Sequence, residues 1–280
     1  MVYSRIGHRV NRVILRNSNS SPFISGDLFK QNADIQVTEK SLGKAKILLS
    51  DVSAARVIFC QSHLLHKFLS EYGDHVQARV LICGNSDFDF DFPPANIPKS
   101  IQLCLLQNLN FESEFFRVLP IGLENLSLAT NGFTKYYLNP INPSIRLNRV
   151  LAGPFSATHP AREKLIDEIG RNNSFHLLTE RLSPSEYQIM LGKYKYVLCP
   201  RGNGIDTHRF WETLYKGNLP VISESIWSSH INRLNIPFHL YSAIGGVIAS
   251  TQLENDNTLN PASIEALWWP YWKNLINSFL

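Results

Sequence analysis

Residues 195–224 read Lys195-Tyr-Val-Leu-Cys-Pro-Arg-Gly-Asn-Gly-Ile-Asp-Thr-His-Arg-Phe-Trp-Glu-Thr-Leu-Tyr-Lys-Gly-Asn-Leu-Pro-Val-Ile-Ser-Glu224, and the fold is decided here. Tyr196–Cys199 is a short apolar, β-rich run stopped by Pro200, which predicts a buried strand. Gly202 and Gly204 allow a tight turn, because glycine tolerates positive φ and lets another group approach the backbone. Asp206 or Thr207 can cap a helix through Phe210, Leu214 and Tyr215 that ends at Lys216-Gly217. Leu219–Ser223 is the next strand. Strand, glycine turn, helix and strand make one βαβ unit whose helix N-terminus is open to an anion, a place to hold a phosphate.

Outward from this unit the same alternation continues in both directions. Upstream, Arg149-Val150-Leu151-Ala152 is a strand, and Pro160 fits the first turn of a helix running through Leu165, Ile166 and Ile169 to Gly170. Phe175–Leu178 is a further strand, and Ser183 with Glu186 forms a capping box for the helix that follows. Phe238–Tyr241 reads as another strand. This half is a parallel, doubly wound domain. Asn139-Pro140-Ile141-Asn142-Pro143-Ser144, with two Asn-Pro steps, reads as the linker before it.

The first half carries Arg56–Cys60, Arg79–Cys83, Ser100–Leu106 and Arg117–Leu119 as strands, with a helix from Ser62 to Gly73. Ala45–Leu49 suits a strand or part of a helix. These strands end in polar turns: Asn85-Ser86-Asp87, Gln107-Asn108, and Pro120-Ile121-Gly122-Leu123-Glu124-Asn125. Such turns mark the carboxyl edge of an open α/β sheet, where ligands bind. The domains then run 1–23 as a basic arm, 24–140 as a first Rossmann-like domain, and 149–280 as a second with a terminal helix. That helix, Ile264–Leu280, is broken near Pro270 and holds Trp268, Trp269, Tyr271 and Trp272, read as packing.

Composition bounds the function. A chain of 280 residues with 44% hydrophobic residues can bury a large core in two domains. A net charge of +4 suits an anionic small substrate and decides little else. The four cysteines, Cys60, Cys83, Cys104 and Cys199, stand singly in apolar runs without metal-ligand spacing. They predict buried free thiols and a cytoplasmic protein. No apolar run reaches the roughly 18 residues of a membrane span. Arg5, Arg9, Arg12 and Arg16 form a solvated basic arm, with a weak membrane-surface contact conceivable and no secretory signal.

Pro200–Arg209, followed by Glu212 and Gly217-Asn218-Leu219-Pro220-Val221, resembles the donor-binding segment of exostosin-like glycosyltransferases. These include the xylosyltransferases with an exostosin-like C-terminal half. Asn85-Ser86-Asp87, Gln107-Asn108 and the Pro120-Ile121-Gly122 turn resemble landmarks of the same family, so the likeness spans about residues 80 to 225. It implies an α/β, GT-B-like fold, two Rossmann-like doubly wound domains facing a cleft, and a nucleotide-sugar donor. The acceptor would be a hydroxyl of a glycan or another molecule. No cofactor, metal or nucleic acid is expected.

Sugar transfer dictates the roles. Charge grows on the leaving diphosphate, and a helix N-terminus with arginine neutralises it. Gly202, Asn203 and Gly204 would give backbone N–H groups, Arg201 or Arg209 the charge, with Arg162 a second phosphate ligand. Arg209 is taken as catalytic for that reason. Glu212 would accept from the ribose hydroxyls, and Asp206, Asn85 and Asn108 complete the substrate-binding set. Asp87 is the candidate base for the acceptor hydroxyl, with Asp89 and His63 in reserve. Asp87-Phe88-Asp89-Phe90-Asp91 also contains Asp-x-Asp, the metal motif of the other large transferase fold, and His63 with His66 lacks a third metal ligand. A non-catalytic nucleotide-binding protein and a Rossmann-type oxidoreductase remain the alternatives, although Thr207 stands where the dinucleotide fingerprint has its third glycine.

Overall fold

The computed structural model describes residues 20–42, 47–128, 130–138, 146–241 and 259–280. The basic arm around Arg5–Arg16, the first two residues of the Ala45–Leu49 run and the Asn139–Ser144 linker lie outside the described residues. Two compact units divide the chain, Met1–Gly132 with Trp268–Leu280, and Phe133–Leu267.

The first unit carries β1 (Ile35–Val37), β2 (Val57–Gln61), β3 (Val80–Gly84), β4 (Leu103–Leu106) and β5 (Phe116–Val118). Its helices are α1 (Gly26–Gln31), α2 (Glu39–Leu42), α3 (Leu49–Ala54) and α4 (Leu65–Tyr72). All pairings are parallel and the order is β1-β2-β3-β4-β5. Strands β3 and β4 are continuous apolar runs buried throughout, and β2 is buried up to its last residue, Gln61, as strands covered on both faces must be. The strand that opens this sheet is Ile35–Val37, which sequence reading passed over. The apolar run ending at Leu49 is no strand, since Leu49 starts α3 after an extended Leu48.

The expectation of a doubly wound first domain is also corrected. Strand order here never reverses, so right-handed crossovers all return on one face of the sheet.

The second unit carries β6 (Leu147–Ala152), α5 (Ala161–Ile169), β7 (Phe175–Leu177), α6 (Pro184–Lys193), β8 (Tyr194–Leu198), α7 (His208–Tyr215), β9 (Leu219–Ser223), α8 (Ile226–Arg233) and β10 (His239–Tyr241). Its sheet is parallel in the order β10-β9-β8-β6-β7. The chain steps from β6 outward to β7, returns to the other side of β6 as β8, and continues outward. This unit is doubly wound, with its order reversing between β6 and β8. Val150, Ala152, Tyr196, Leu198, Val221 and Phe175 are fully or almost fully buried between the layers. The Ser183–Glu186 capping box starts α6 as the sequence predicts. Gly217 ends α7 at φ 72°, the left-handed position glycine occupies after a helix. Helix α8, capped by Ser225, went unread because its serine-rich turns mimic a loop.

The terminal helix α9 (Trp269–Asn277) is shorter than the reading of Ile264–Leu280, with Pro270 in its first turn rather than at a break. Sequence analysis gave it to the second domain, with a return to the first, as the GT-B resemblance implies, left open. It packs with the first: the Trp269 and Trp272 rings lie 5.2 and 5.9 Å from Phe29 of α1, and Trp268 lies 5.4 Å from Phe23. Trp272 is buried, so its burial against α1 decides where the helix belongs.

Candidate functional site: two arginines at the reversal of the second sheet

Ligands in open α/β sheets sit outside the carboxyl ends of strands where the order reverses. In the second unit that point lies between the loop after β6, Gly153–Pro160, and the loop after β8, Cys199–Thr207. Gly153 turns the first loop at φ 75°, and a Cβ there would lie 2.4 Å from the Leu178 carbonyl oxygen, so only glycine fits.

Arg162, in the first turn of α5, ties the two loops together. Its Nε donates to the Arg201 carbonyl at 2.7 Å, Nη2 to Pro200 at 3.2 Å, and Nη1 to Ser156 at 3.1 Å. Arg209, in the first turn of α7, donates from Nη2 to the Pro154 carbonyl at 2.9 Å. Both guanidinium groups lie over Phe155, at 5.8 and 5.0 Å from its ring centre. Arg209 also lies 5.4 Å from the Tyr187 ring of α6. Burial, and then repulsion from Arg209, pulls Arg162 down to about 10. Arg162 is still charged at neutral pH, and the ion pairs found among the described residues include neither arginine. Arg209 Nη1 and Tyr187 Oη are buried and close enough to interact electrostatically, yet neither closes a hydrogen bond of normal geometry. Two like charges held together by carbonyl oxygens and ring faces favour an anion.

Helix α7 points the same way. Its N-cap, Thr207, makes no side-chain cap bond, and its first turn carries no acidic residue. The first turn itself thus supplies no negative side chain to this helix end, and the nearest carboxylate before it is the buried Asp206.

The glycine turn departs in detail from its reading. Neither Gly202 nor Gly204 is among the residues with positive φ. Gly202 matters for space, since a Cβ there would lie 3.1 Å from Arg162 Nη2 and 3.4 Å from Thr158 Oγ1. Its N–H donates to the Gly204 carbonyl at 3.0 Å, so that amide is spent inside the turn. Arg201 Nη2 donates to the carbonyl of the exposed Asn203 at 3.2 Å, which turns Arg201 along its own loop. Asp206 is buried, one residue before the Thr207 cap of α7. Its Oδ1 accepts from Trp211 Nε1 at 2.7 Å, a structural task. Glu212 is buried on α7 rather than displayed on an open helix face. Its charge reaches Tyr187 and Cys199, whose groups burial pushes up to about 12 with Glu212 adding to the rise. Phe155 and Tyr187 were missed by sequence reasoning. The only available signal was an aromatic directly after the Gly153-Pro154 turn.

The landmarks of the first unit do come together at the carboxyl edge of β3, β4 and β5, but largely to hold one another. Asn85 takes φ 50° and Asn108 φ 58°, the left-handed region that asparagine tolerates in turns. Gln107 Oε1 accepts from the Asn85 backbone N–H at 2.9 Å, and its Nε2 donates to the Ser86 carbonyl at 2.9 Å. Asn125 Nδ2 donates to Asn85 Oδ1 at 3.3 Å. Asn108 is fully buried and its Nδ2 donates to the Phe88 carbonyl at 3.3 Å. Asn85 and Asn108 thus act as turn formers in this geometry. Asp87 is exposed at the end of β3, and the reserve candidate His63 bonds Ser86 Oγ through Nδ1 at 3.1 Å. All four cysteines are buried free thiols. No described group of three or more metal-ligating side chains comes together, and no described helix is long and apolar enough to cross a membrane.

No protein-family model matches the chain, and no curated protein matches it. Among solved structures, AviGT4, a glycosyltransferase involved in avilamycin A biosynthesis, aligns at TM-score 0.38 and 11% identity over 82% of this chain and 86% of that one. An alpha1,3-fucosyltransferase aligns at TM-score 0.37 and 11% identity over 87% of this chain and 89% of that one. Similarity at this level assigns neither a family nor an activity to the chain.

Proposed function

We propose that the chain is a glycosyltransferase of GT-B type that takes its sugar from a nucleotide-sugar donor and passes it to a hydroxyl acceptor. The observation that carries this reading is the Arg162–Arg209 pair. Two guanidinium groups that share no ion pair with any described residue stand where the second sheet reverses its order, beside a helix end whose first turn carries no acidic residue. A diphosphate fits that arrangement, because its charge rises as the bond to the anomeric carbon breaks and fixed positive charge then gains most.

Arg209 meets the leaving phosphate, with Arg162 and the Arg201–Gly204 turn positioning the other. The charge that a divalent cation would supply comes in this proposal from the two guanidinium groups. Glu212 accepts from the donor ribose hydroxyls, entering from its buried position on α7. Asp87 takes the proton of the acceptor hydroxyl as the oxygen attacks the anomeric carbon and the diphosphate departs. Exostosin-like kinship, a cytoplasmic location and a membrane-surface role for the basic arm belong to the same proposal.

Thermal-shift screening of nucleotide sugars against nicotinamide dinucleotides tests it, because a ligand bound only by the folded state raises the melting temperature. Stabilisation by a nucleotide sugar that Arg209→Gln abolishes supports the reading. Stabilisation by a nicotinamide dinucleotide alone would replace it with the oxidoreductase alternative.

A further inference from the structure

A pocket of about 450 Å3 opens in the first unit beside the start of α4 and the loop after β3, next to Asp87 and lined by its reserve candidates His63 and Asp89. Ser62, His63, His66, Phe88, Asp89 and Phe92 are the lining residues that give it its chemistry. Phe92 is 81% exposed and Phe88 49% exposed, so two ring faces are offered to whatever enters. Phe90, which also lines the pocket, is buried and braces Phe88 edge-to-face at 5.0 Å.

Ser62 is only 2% exposed, and its buried Oγ has no hydrogen-bond partner among the described residues. A buried orphan hydroxyl costs stability unless something from outside completes it. The wall also bears the carboxylates of Asp89 and Asp91 and the imidazoles of His63 and His66, while no lysine or arginine lines it. Acidic walls without a cation disfavour phosphates and nucleotides. Acceptors, donors and exposed rings together suit a neutral molecule with hydroxyls on its rim and an apolar face. A pyranose ring is such a molecule, and a pocket of this volume holds one or two.

We propose that this pocket binds a pyranoside, its C–H face on Phe92 and Phe88 and one hydroxyl on Ser62 Oγ, as the acceptor of the transfer. The assignment of acceptor rests on the glycosyltransferase reading; the sugar-binding site does not.

Saturation-transfer NMR on the full chain tests it, using methyl glycosides of glucose, galactose, mannose, xylose and fucose and the corresponding β-linked disaccharides. At least one should bind. Phe92→Ala should weaken that binding about 2- to 10-fold, the scale of a lost ring contact. Ser62→Ala should weaken it up to about 10-fold, while leaving the melting temperature unchanged or raised because an orphan group is removed. Binding of none, or equal binding to parent and both variants, overturns the proposal. So does binding of tetramethylammonium in preference to every glycoside, which would make the rings and carboxylates an amine site. Titrating the same samples with a nucleotide sugar separates the claims. Glycoside binding without nucleotide binding keeps this site and removes transfer, whereas the reverse removes this site alone.

Discussion

Arg209→Gln is the perturbation that the site geometry predicts most closely. The parent side chain makes one charge-assisted bond to the Pro154 carbonyl, and glutamine keeps a donor for it. Two ring contacts, at 5.0 and 5.4 Å, are lost at about 0.5–1 kcal/mol each. Against this, the buried Nη1 without a partner disappears, which recovers about 1–3 kcal/mol. Repulsion of Arg162 is relieved as well. Gains and losses nearly cancel, so the variant should fold with stability within about 1–2 kcal/mol of the parent. Binding has no such offset. A hydrogen bond to a charged group contributes about 1.5–3 kcal/mol, so affinity for a nucleoside diphosphate should fall roughly 10- to 150-fold. Isothermal titration of parent and variant reads this, with urea unfolding to check the fold. A folded variant with the parent's affinity would refute the anion site.

Gly202→Ala places a methyl 3.1 Å from Arg162 Nη2 and should weaken nucleotide binding about tenfold by displacing the guanidinium, read by the same titration. Glu212→Gln should cost about 1–3 kcal/mol of nucleotide affinity if the carboxylate accepts from ribose, and nothing if its role is confined to α7. Asp87→Asn should lower transfer about 10²- to 10⁴-fold while leaving donor binding intact, read by product formation under saturating donor. Arg162 is depressed to about 10, so its charged form persists below that pH. Donor affinity should be level through neutral pH and fall as pH rises through about 10, as the guanidinium loses its proton. The sign for stability is opposite: the charge costs the folded state at neutral pH, and that cost is relieved over the same rise.

The second half of the molecule was legible because its signals are local. A run such as Tyr196–Cys199 stopped by proline, a Ser183–Glu186 box and a Lys216-Gly217 terminus each act within a few residues, and each formed where read. What failed depends on distance along the chain. The bonds of Arg162 to the carbonyls of Pro200 and Arg201 went unread because they join residues about forty apart and follow from sheet order. Asp206 was read as a cap or ligand because aspartate before a helix usually is one; Trp211 captured it from one turn inside the helix. Ile35–Val37 was too short to stand out as a strand, and the unreversed order of the first sheet has no local signature. The terminal tryptophans announced packing but not the partner, Phe29, far away in sequence. Asn85 and Asn108 hold left-handed turn positions, which the motif reading did not anticipate.

The central claim is that the arginine pair receives the diphosphate of a sugar donor. Titration of the full chain with a panel of nucleotide sugars, beside the same panel on Arg209→Gln, measures it directly. The account predicts that at least one nucleotide sugar binds the parent and binds the variant roughly 10- to 150-fold more weakly. Failure of every nucleotide sugar to bind, with a nicotinamide dinucleotide bound in their place, would contradict it.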